Sequence, residues 1–219
     1  MAAGPPVVVF DYGSGNIRSV ARALTAAGCA VTVSDDLPTA RSAAGLVVPG
    51  VGAFAACRAA LREAGGDDLI RERYARGAAV LGICVGMQVM CEGSAEHADQ
   101  RDSADVTGLG LLPGHLVRLT APIVPHMGWN LIDPAPGSAL FTDEPGQRYY
   151  FVHSYAVPWP PPAAADPPVA DAHLRVTTAD YGGRFIAAIE SGPLAGTQFH
   201  PEKSGPAGVA LLRRWRATL

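Results

Sequence analysis

Two short stretches of the sequence hold residue types that could do covalent chemistry. In Leu81-Gly-Ile-Cys-Val-Gly-Met-Gln88 a cysteine, Cys84, stands between two glycines; the apolar run Ala78–Ile83 leads into it and a helix-like run, Val85–Cys91, leads out. A nucleophile at a strand-to-helix junction needs a sharp, strained turn to lift it above a sheet, and Gly82 and Gly86 permit one. The start of a helix also favours a thiolate over a thiol. In Gln198-Phe-His-Pro-Glu-Lys-Ser204, His200 ends a strand run, Pro201 breaks it, and Glu202 can reach back to the imidazole. A cysteine nucleophile needs an imidazole to move its proton, and the imidazole needs an acceptor that holds one tautomer. Each stretch also has a plain structural reading. Free cysteine is among the most buried residue types, and His200–Glu202 can be a capped surface turn.

Acyl transfer further needs N–H donors for an oxyanion. Pro49-Gly-Val-Gly52 follows the strand run Leu46–Val48, at the edge that carries the ligand site in parallel α/β sheets. Its glycines let backbone N–H groups turn inward, and the amide of Val85 supplies a second donor; the alternative is an ordinary strand-to-helix turn. Cys29, Cys57 and Cys91 lack the flanking glycines and read as packing. Cys91 falls in the helical run that follows Cys84. His126 and His153 are rival bases with aromatic neighbours but no nearby carboxylate, and His97, His115 and His173 have no supporting pattern. No pair of histidines has metal-ligand spacing. Asp11-Tyr-Gly-Ser-Gly-Asn16 begins like a dinucleotide-binding loop, but the third glycine would fall at Arg18, so the fingerprint fails.

These residues need a scaffold that brings positions 49–52, 84 and 200 together. Strand runs at Val7–Phe10, Ala30–Val33, Leu46–Val48 and Ala78–Ile83 alternate with helical stretches at about Asn16–Ala27, Ala53–Glu63 and Asp67–Arg76. That alternation predicts right-handed βαβ units and a parallel sheet. Leu116–Leu119, Tyr149–His153, Leu174–Thr178 and Arg184–Ile189 read as strands that extend the sheet antiparallel. Thr197–Phe199 reads as a last short strand and Ala207–Arg216 as a last helix. The expected architecture is α/β: a single domain over 1–219, with an open, mostly parallel sheet, helices on both faces and an antiparallel C-terminal extension. The proline-rich stretch 158–168 reads as a stiff loop, not a domain linker.

Composition narrows the function classes. The 219 residues suffice for one well-cored domain, and a net charge of −3 gives no electrostatic case for nucleic acid or an anionic membrane. Uncharged runs such as Gly77–Cys91 are too short and too glycine-rich to span a bilayer. The N-terminus lacks the basic region of a signal peptide. Four irregularly spaced cysteines make no disulfide framework, so a cytoplasmic location with reduced thiols is expected. Lys203 is the chain's one lysine among 17 basic residues, next to Glu202.

GICVGMQ and QFHPEKS together resemble the two signatures of the triad, or class I, glutamine amidotransferases. DYGSGN at 11–16, PGVGAF at 49–54, PHMGWN at 125–130, YFVHSY at 150–155 and DYGGRFIAA at 180–188 narrow the resemblance. They point to the glutaminase subunits of imidazole glycerol phosphate synthases, from about Val7 to the C-terminus. The resemblance implies hydrolysis of glutamine to glutamate and ammonia through a Cys84 thioester. It implies delivery of the ammonia to a (β/α)8-barrel cyclase subunit in a heterodimer of histidine biosynthesis, with no metal or organic cofactor. By position it implies Cys84 as nucleophile, His200 as base and then acid, and Glu202 as the orienting group. Gly52 and Val85 fall near the oxyanion; Gln88, Glu96, Ser154 and Tyr155 are on the bound glutamine; Asn16, Trp129, Tyr150 and Lys203 are at the partner interface.

The sequence departs from that pattern in places. Ile123 stands where a basic residue is expected just before PHMGWN, and Val85 replaces a leucine without altering the backbone N–H. Two other readings stay open: a hydrolase acting alone on peptides or γ-glutamyl compounds, and a binding module with a dead site. The filled triad positions weigh against the second.

Overall fold

The computed structural model describes residues 4–96, 106–141, 146–160 and 173–219. Most of the stretch 158–168 lies outside them. The first half follows the expected alternation. Strands β1 (Pro6–Phe10), β2 (Ala30–Ser34), β3 (Gly45–Gly50) and β4 (Ala79–Cys84) alternate with helices α1 (Ile17–Ala26), α2 (Leu37–Ser42), α3 (Phe54–Glu63) and α4 (Gly66–Ala75). The short α2 was not expected. Asp36 caps it by accepting the Thr39 N–H at 2.8 Å, and Pro38 sits in its first turn, a strong start signal for a helix with little apolar periodicity.

After β4 come α5 (Val85–Gln88), β5 (Gly93–Ser94), β6 (Val106–Thr107), β7 (His115–Arg118), β8 (His126–Leu131), β9 (Arg148–His153) and β10 (Tyr155–Ala156). The chain closes with β11 (Arg175–Asp180), β12 (Arg184–Ser191), β13 (Leu194–Thr197), a 3-10 turn at Pro201–Lys203 and α6 (Gly205–Arg216). Seven strands form the main sheet in the order β11-β12-β13-β4-β3-β1-β2. From β13 to β2 the neighbours run parallel, and β12 and β11 are antiparallel to those beside them. β3 is buried along its whole length and β4 at all but its first residue, as strands covered on both faces require. α1 packs with α6, while α2 and α3 pack with α4, so two helical groups cover the sheet.

The second half corrects three expectations. β11 and β12 extend the main sheet, but β7 and β9 do not. β7 joins β10, β5 and β6 in a small sheet, and β9 pairs with β8 in a two-stranded one. Both strands are buried on one face at most, so they suit a layer over the sheet's end, not the doubly covered sheet itself. The last strand ends at Thr197 instead of running to Phe199. Its partner β4 turns away at Cys84, so the N–H groups beyond Thr197 go elsewhere: Gln198 to Ala187 O at 2.8 Å and His200 to Tyr150 O at 2.9 Å. Finally, the helix after Cys84 stops at Gln88, leaving Cys91 outside it. The carbonyls of Val89, Met90 and Cys91 accept from the amides of residues 109–112, so they are unavailable for further helical turns.

Register fixes the site. Gly50 lies opposite Cys84 across β3 and β4, and Thr197 lies opposite Ile83 across β13 and β4. The Pro49–Gly52 turn, Cys84 and His200 thus leave three adjacent parallel strands at the same carboxyl edge. Close packing holds the junction: a Cβ on Gly86 would sit 1.8 Å from the Val48 carbonyl oxygen, and one on Gly82 2.7 Å from the Met87 backbone. Gly86→Ala should therefore force β3 and α5 apart. The expected result is a loss of about 1–3 kcal/mol, the usual range for overpacking, as read by urea unfolding.

Candidate active site

At Cys84 the backbone enters the left-handed half of conformational space, with φ 55° and ψ −115°. Among the described residues it is the one non-glycine that does so. Strain of this kind costs on the order of 1–3 kcal/mol and persists where the surroundings impose it. Gly82 and Gly86 were expected to supply the unusual angles. Instead neither has positive φ; they supply room for α5 against β3, and the strain falls on the cysteine. α5 is a single turn of four residues, so the helix dipole at Cys84 is the dipole of one turn only.

His200 and Glu202 come from the 3-10 turn after β13. Pro201 at its first position fixes this turn, and Ser204 Oγ ties it down by donating to His200 O at 2.7 Å. His200 Nδ1 lies 2.9 Å from Glu202 Oε1, and both side chains are almost fully buried. Nε2 is also buried and has no hydrogen-bond partner within reach. Burial alone would lower the His200 pKa, but the nearby Cys84 sulfur and the hydrogen-bonded Glu202 carboxylate outweigh it and carry it up to about 9. Cys84 is therefore close enough to influence the imidazole although no hydrogen bond to Nε2 is formed. At neutral pH His200 holds a proton that a leaving amine can take.

A cavity of about 450 Å³ opens beside these groups. Gly52, Cys84, Val85, Gln88 and Glu96 line it, as do Ser154, Tyr155, His200 and Lys203. The structure thus gathers every residue expected at the nucleophile, the oxyanion and the bound substrate, with one of the interface residues at the rim. The amides of Gly52 and Val85 have no acceptor among the described residues. Gln88 donates from Nε2 to Tyr155 O at 3.1 Å and to Gln198 Oε1 at 2.9 Å, leaving its own carbonyl oxygen as an acceptor toward a ligand ammonium. Glu96 accepts the first amide of α3, Phe54 N–H, at 2.5 Å, an anion at a helix N-terminus.

Sequence reasoning missed Gln198. It is fully buried, and its Nε2 lies 3.7 Å from Cys84 Sγ. A glutamine in the expected strand run Thr197–Phe199, directly before His200, was the available signal. Pro125, just before β8, and Val152, within β9, also line the cavity and were not anticipated. At its outer edge Lys203 Nζ stands 5.8 Å over the Tyr150 ring, and Tyr150 meets Trp129 edge-on at 6.1 Å between centroids. Asn16, at the start of α1, belongs to the helix that packs on the 3-10 turn carrying Lys203.

The rival histidines turn out to be paired with each other. His126 Nδ1 and His153 Nε2 are 3.0 Å apart, Asn130 Nδ2 lies 3.3 Å from His126 Nε2, and His153 Nδ1 lies 3.0 Å from Tyr155 O. One assignment satisfies all of these contacts. Asn130 donates to His126, His126 to His153 and His153 to Tyr155, with both rings neutral. His126 is stacked between Phe151 and Tyr181. Burial pulls the His126 pKa down to about 4 and that of His153 to about 3.

A model of the family "Glutamine amidotransferase class-I" matches residues 8–217. The chain is 51% identical over 215 residues to "Imidazole glycerol phosphate synthase subunit HisH" of Leifsonia xyli subsp. xyli, covering 98% of this chain and 99% of that protein. It is 49% identical to the subunit of the same name from Thermobifida fusca, over 98% and 99% of the two chains. Among solved structures it resembles one titled as a glutamine amidotransferase, with a TM-score of 0.70 at 19% identity over 97% and 99% of the chains. The PurLQS structure from Thermotoga maritima is similar, with a TM-score of 0.68 at 20% identity over 99% of each. At these identities the structures speak to the fold alone.

The histidine pair sets a pH dependence. Its folded pKa values lie below the ordinary 6.5, so between about pH 4 and 6.5 the unfolded chain binds more protons than the folded one. The pair's contribution to stability is complete above pH 6.5 and is lost as pH falls through that window. Urea unfolding from pH 7 to 4.5 should show stability falling more steeply in the wild type than in His153→Gln, in which one of the two titrating rings is gone.

Proposed function

The chain belongs to the class-I glutamine amidotransferases, and on that premise we propose that it hydrolyses glutamine as the glutaminase subunit of an imidazole glycerol phosphate synthase, with residues 1–219 as one amidotransferase domain. One observation carries the reading. Cys84, the His200–Glu202 pair and two unengaged amides, of Gly52 and Val85, converge on one cavity.

An amide is a poor electrophile, so its cleavage needs a strong nucleophile, a stabilised oxyanion and a proton for the leaving nitrogen. Cys84 gives its S–H proton to His200 Nε2, forming a thiolate–imidazolium pair; Sγ then attacks the side-chain carbonyl carbon of glutamine, and the oxygen takes up negative charge facing the Gly52 and Val85 amides. His200, held at Nδ1 by Glu202, delivers the proton from Nε2 as the C–N bond breaks. Ammonia leaves and a thioester remains. Water then attacks the thioester, giving a proton to His200; the C–S bond breaks, glutamate departs, and the thiolate–imidazolium pair is restored. The Gln88 carbonyl oxygen and the Glu96 carboxylate are placed for the ligand's α-ammonium, with Ser154 and Tyr155 beside it. No step calls on a metal or an organic cofactor.

A partner subunit is implied by the names of the relatives, and its identity as a (β/α)8-barrel cyclase in a heterodimer is part of the proposal. Met127, Trp129 and Leu131 alternate along the outer face of β8 with their side chains exposed, and Ile123 just before the strand is exposed as well. This apolar face adjoins Tyr150 and Lys203 at the cavity rim, a layout that suits a partner receiving ammonia there. Among the described residues no helix is long and apolar enough to cross a membrane, and a cytoplasmic location belongs to the same proposal.

In the assembled synthase, Cys84→Ala should lower glutamine hydrolysis by about 10,000-fold or more, as removal of a triad nucleophile does elsewhere. Product formation from added ammonium salt should persist. Glutamine turnover retained in the variant would remove Cys84 from the mechanism. Glu202→Gln should cost less than His200→Ala, because it misplaces the imidazole without deleting it. Lys203→Ala should raise the ratio of glutamate formed to imidazole product formed, with Cys84 still reacting with glutamine-like electrophiles. A ratio that stays near that of the wild type would assign Lys203 to the surface only.

A further inference from the structure

The two oxyanion donors are held by different means. Val85 N–H is fixed by the junction at Cys84, but Gly52 sits in an exposed turn at φ 89°, and a Cβ added there would touch nothing within 4 Å. Packing does not orient this amide. Its orientation comes from the residue before it. Ser14 Oγ lies 3.1 Å from Val51 O and 3.2 Å from Val51 N, and Cys57 Sγ lies 3.0 Å from Val51 O and 3.0 Å from Ser14 Oγ. The Val51 carbonyl can take a hydrogen from the hydroxyl and another from the thiol, while the hydroxyl accepts the Val51 N–H. Ser14 comes from the β1–α1 turn and Cys57 from the buried face of α3, so two elements hold one peptide.

In a planar trans peptide the C=O and the N–H point in opposite directions. A Val51 carbonyl held against Ser14 and Cys57 therefore directs the Gly52 N–H the other way, toward the cavity that Cys84 and Val85 line. We propose that Ser14 and Cys57 are positioning residues: by clamping the Val51 carbonyl they hold the Gly52 amide in place for the oxyanion. Rotation of that peptide would break both accepted hydrogen bonds at once. The thiol suits the role because it is buried and, through burial, titrates above the ordinary cysteine range, so it stays a donor at neutral pH. The inference rests on the reading of Cys84 as nucleophile.

The test uses the assembled synthase. Ser14→Ala, Cys57→Val and the double variant remove the donors, and Cys57→Ser keeps one. Glutamine kcat and KM are measured beside the rate at which iodoacetamide alkylates Cys84, followed by mass spectrometry. Alkylation needs the thiolate but forms no oxyanion, so it separates the two roles. Loss of one oxyanion donor costs roughly 100- to 1,000-fold in kcat. Because the clamp only aims such a donor, each single removal should lower kcat by about 5- to 10-fold and the double variant by about 100-fold. KM and alkylation should stay within about twofold of the wild type, and Cys57→Ser should recover most of the turnover. An unchanged kcat in Ser14→Ala and the double variant would overturn the proposal, as would a fall in kcat matched by an equal fall in alkylation. Ser14 lies in a half-buried turn, so Ser14→Ala keeps the test decisive should Cys57→Val fold poorly. If Cys84→Ala itself kept glutamine turnover, the failure would lie with the nucleophile assignment instead.

Discussion

The left-handed backbone at Cys84 is the constraint on which the rest of the site depends. β4 is buried in the centre of the sheet, and α5 must start at once, against β3, with the Gly86 backbone on the Val48 carbonyl. At that turn Cys84 takes φ 55°, the one positive φ at a non-glycine among the described residues. The consequence is a thiol at the end of the sheet with the next residue, Val85, starting the helix on the wall of the cavity and its N–H unengaged. A larger residue at 82 or 86 would relax the turn only by separating layers whose packing supplies much of the stability of the centre of the molecule.

Around this point the polar groups are almost all committed to one another, which is what a low-dielectric site demands. Gln198 approaches the sulfur and is held by Gln88, and Gln88 is in turn held on Tyr155 O, which also accepts from His153. The His126–His153 pair extends that chain to Asn130 on β8, the strand whose other face is exposed and apolar. A continuous run of hydrogen bonds therefore joins the proposed docking strand to the neighbourhood of the nucleophile. Near the nucleophile, the groups without partners among the described residues are the Gly52 and Val85 amides, His200 Nε2 and the second carboxylate oxygen of Glu202, Oε2.

The electrostatics divide the three central histidines by their neighbours. His200 has a carboxylate on one nitrogen and a thiol near the other, so the proton is retained. His126 and His153 have an amide, a carbonyl and aromatic faces, so it is expelled. Burial acts on all three; the nearby charge decides the outcome.

The sequence by itself determined the parts set by local rules. Alternating buried strands and helices gave the parallel half of the sheet; the glycine-flanked Cys84 and the His200-Pro-Glu202 turn each also read as packing or a capped turn, and only the motifs taken together marked them as the reactive pair. Tertiary structure decided what depends on distant partners. β7 and β9 were legible as strands, but the sheet each joins is set by which neighbour leaves hydrogen-bonding groups unpaired. The helix after Cys84 ends at Gln88 because the amides of residues 109–112 take the carbonyls of Val89–Cys91 that would have continued it, a contact invisible to periodicity. Cys57 and Ser14 read as packing and as turn, and they matter through a carbonyl 6 and 37 residues away in sequence. Chemistry that lies within one turn of chain can be read along it; hydrogen bonds between elements arise only once the sheet's register has fixed which ends meet.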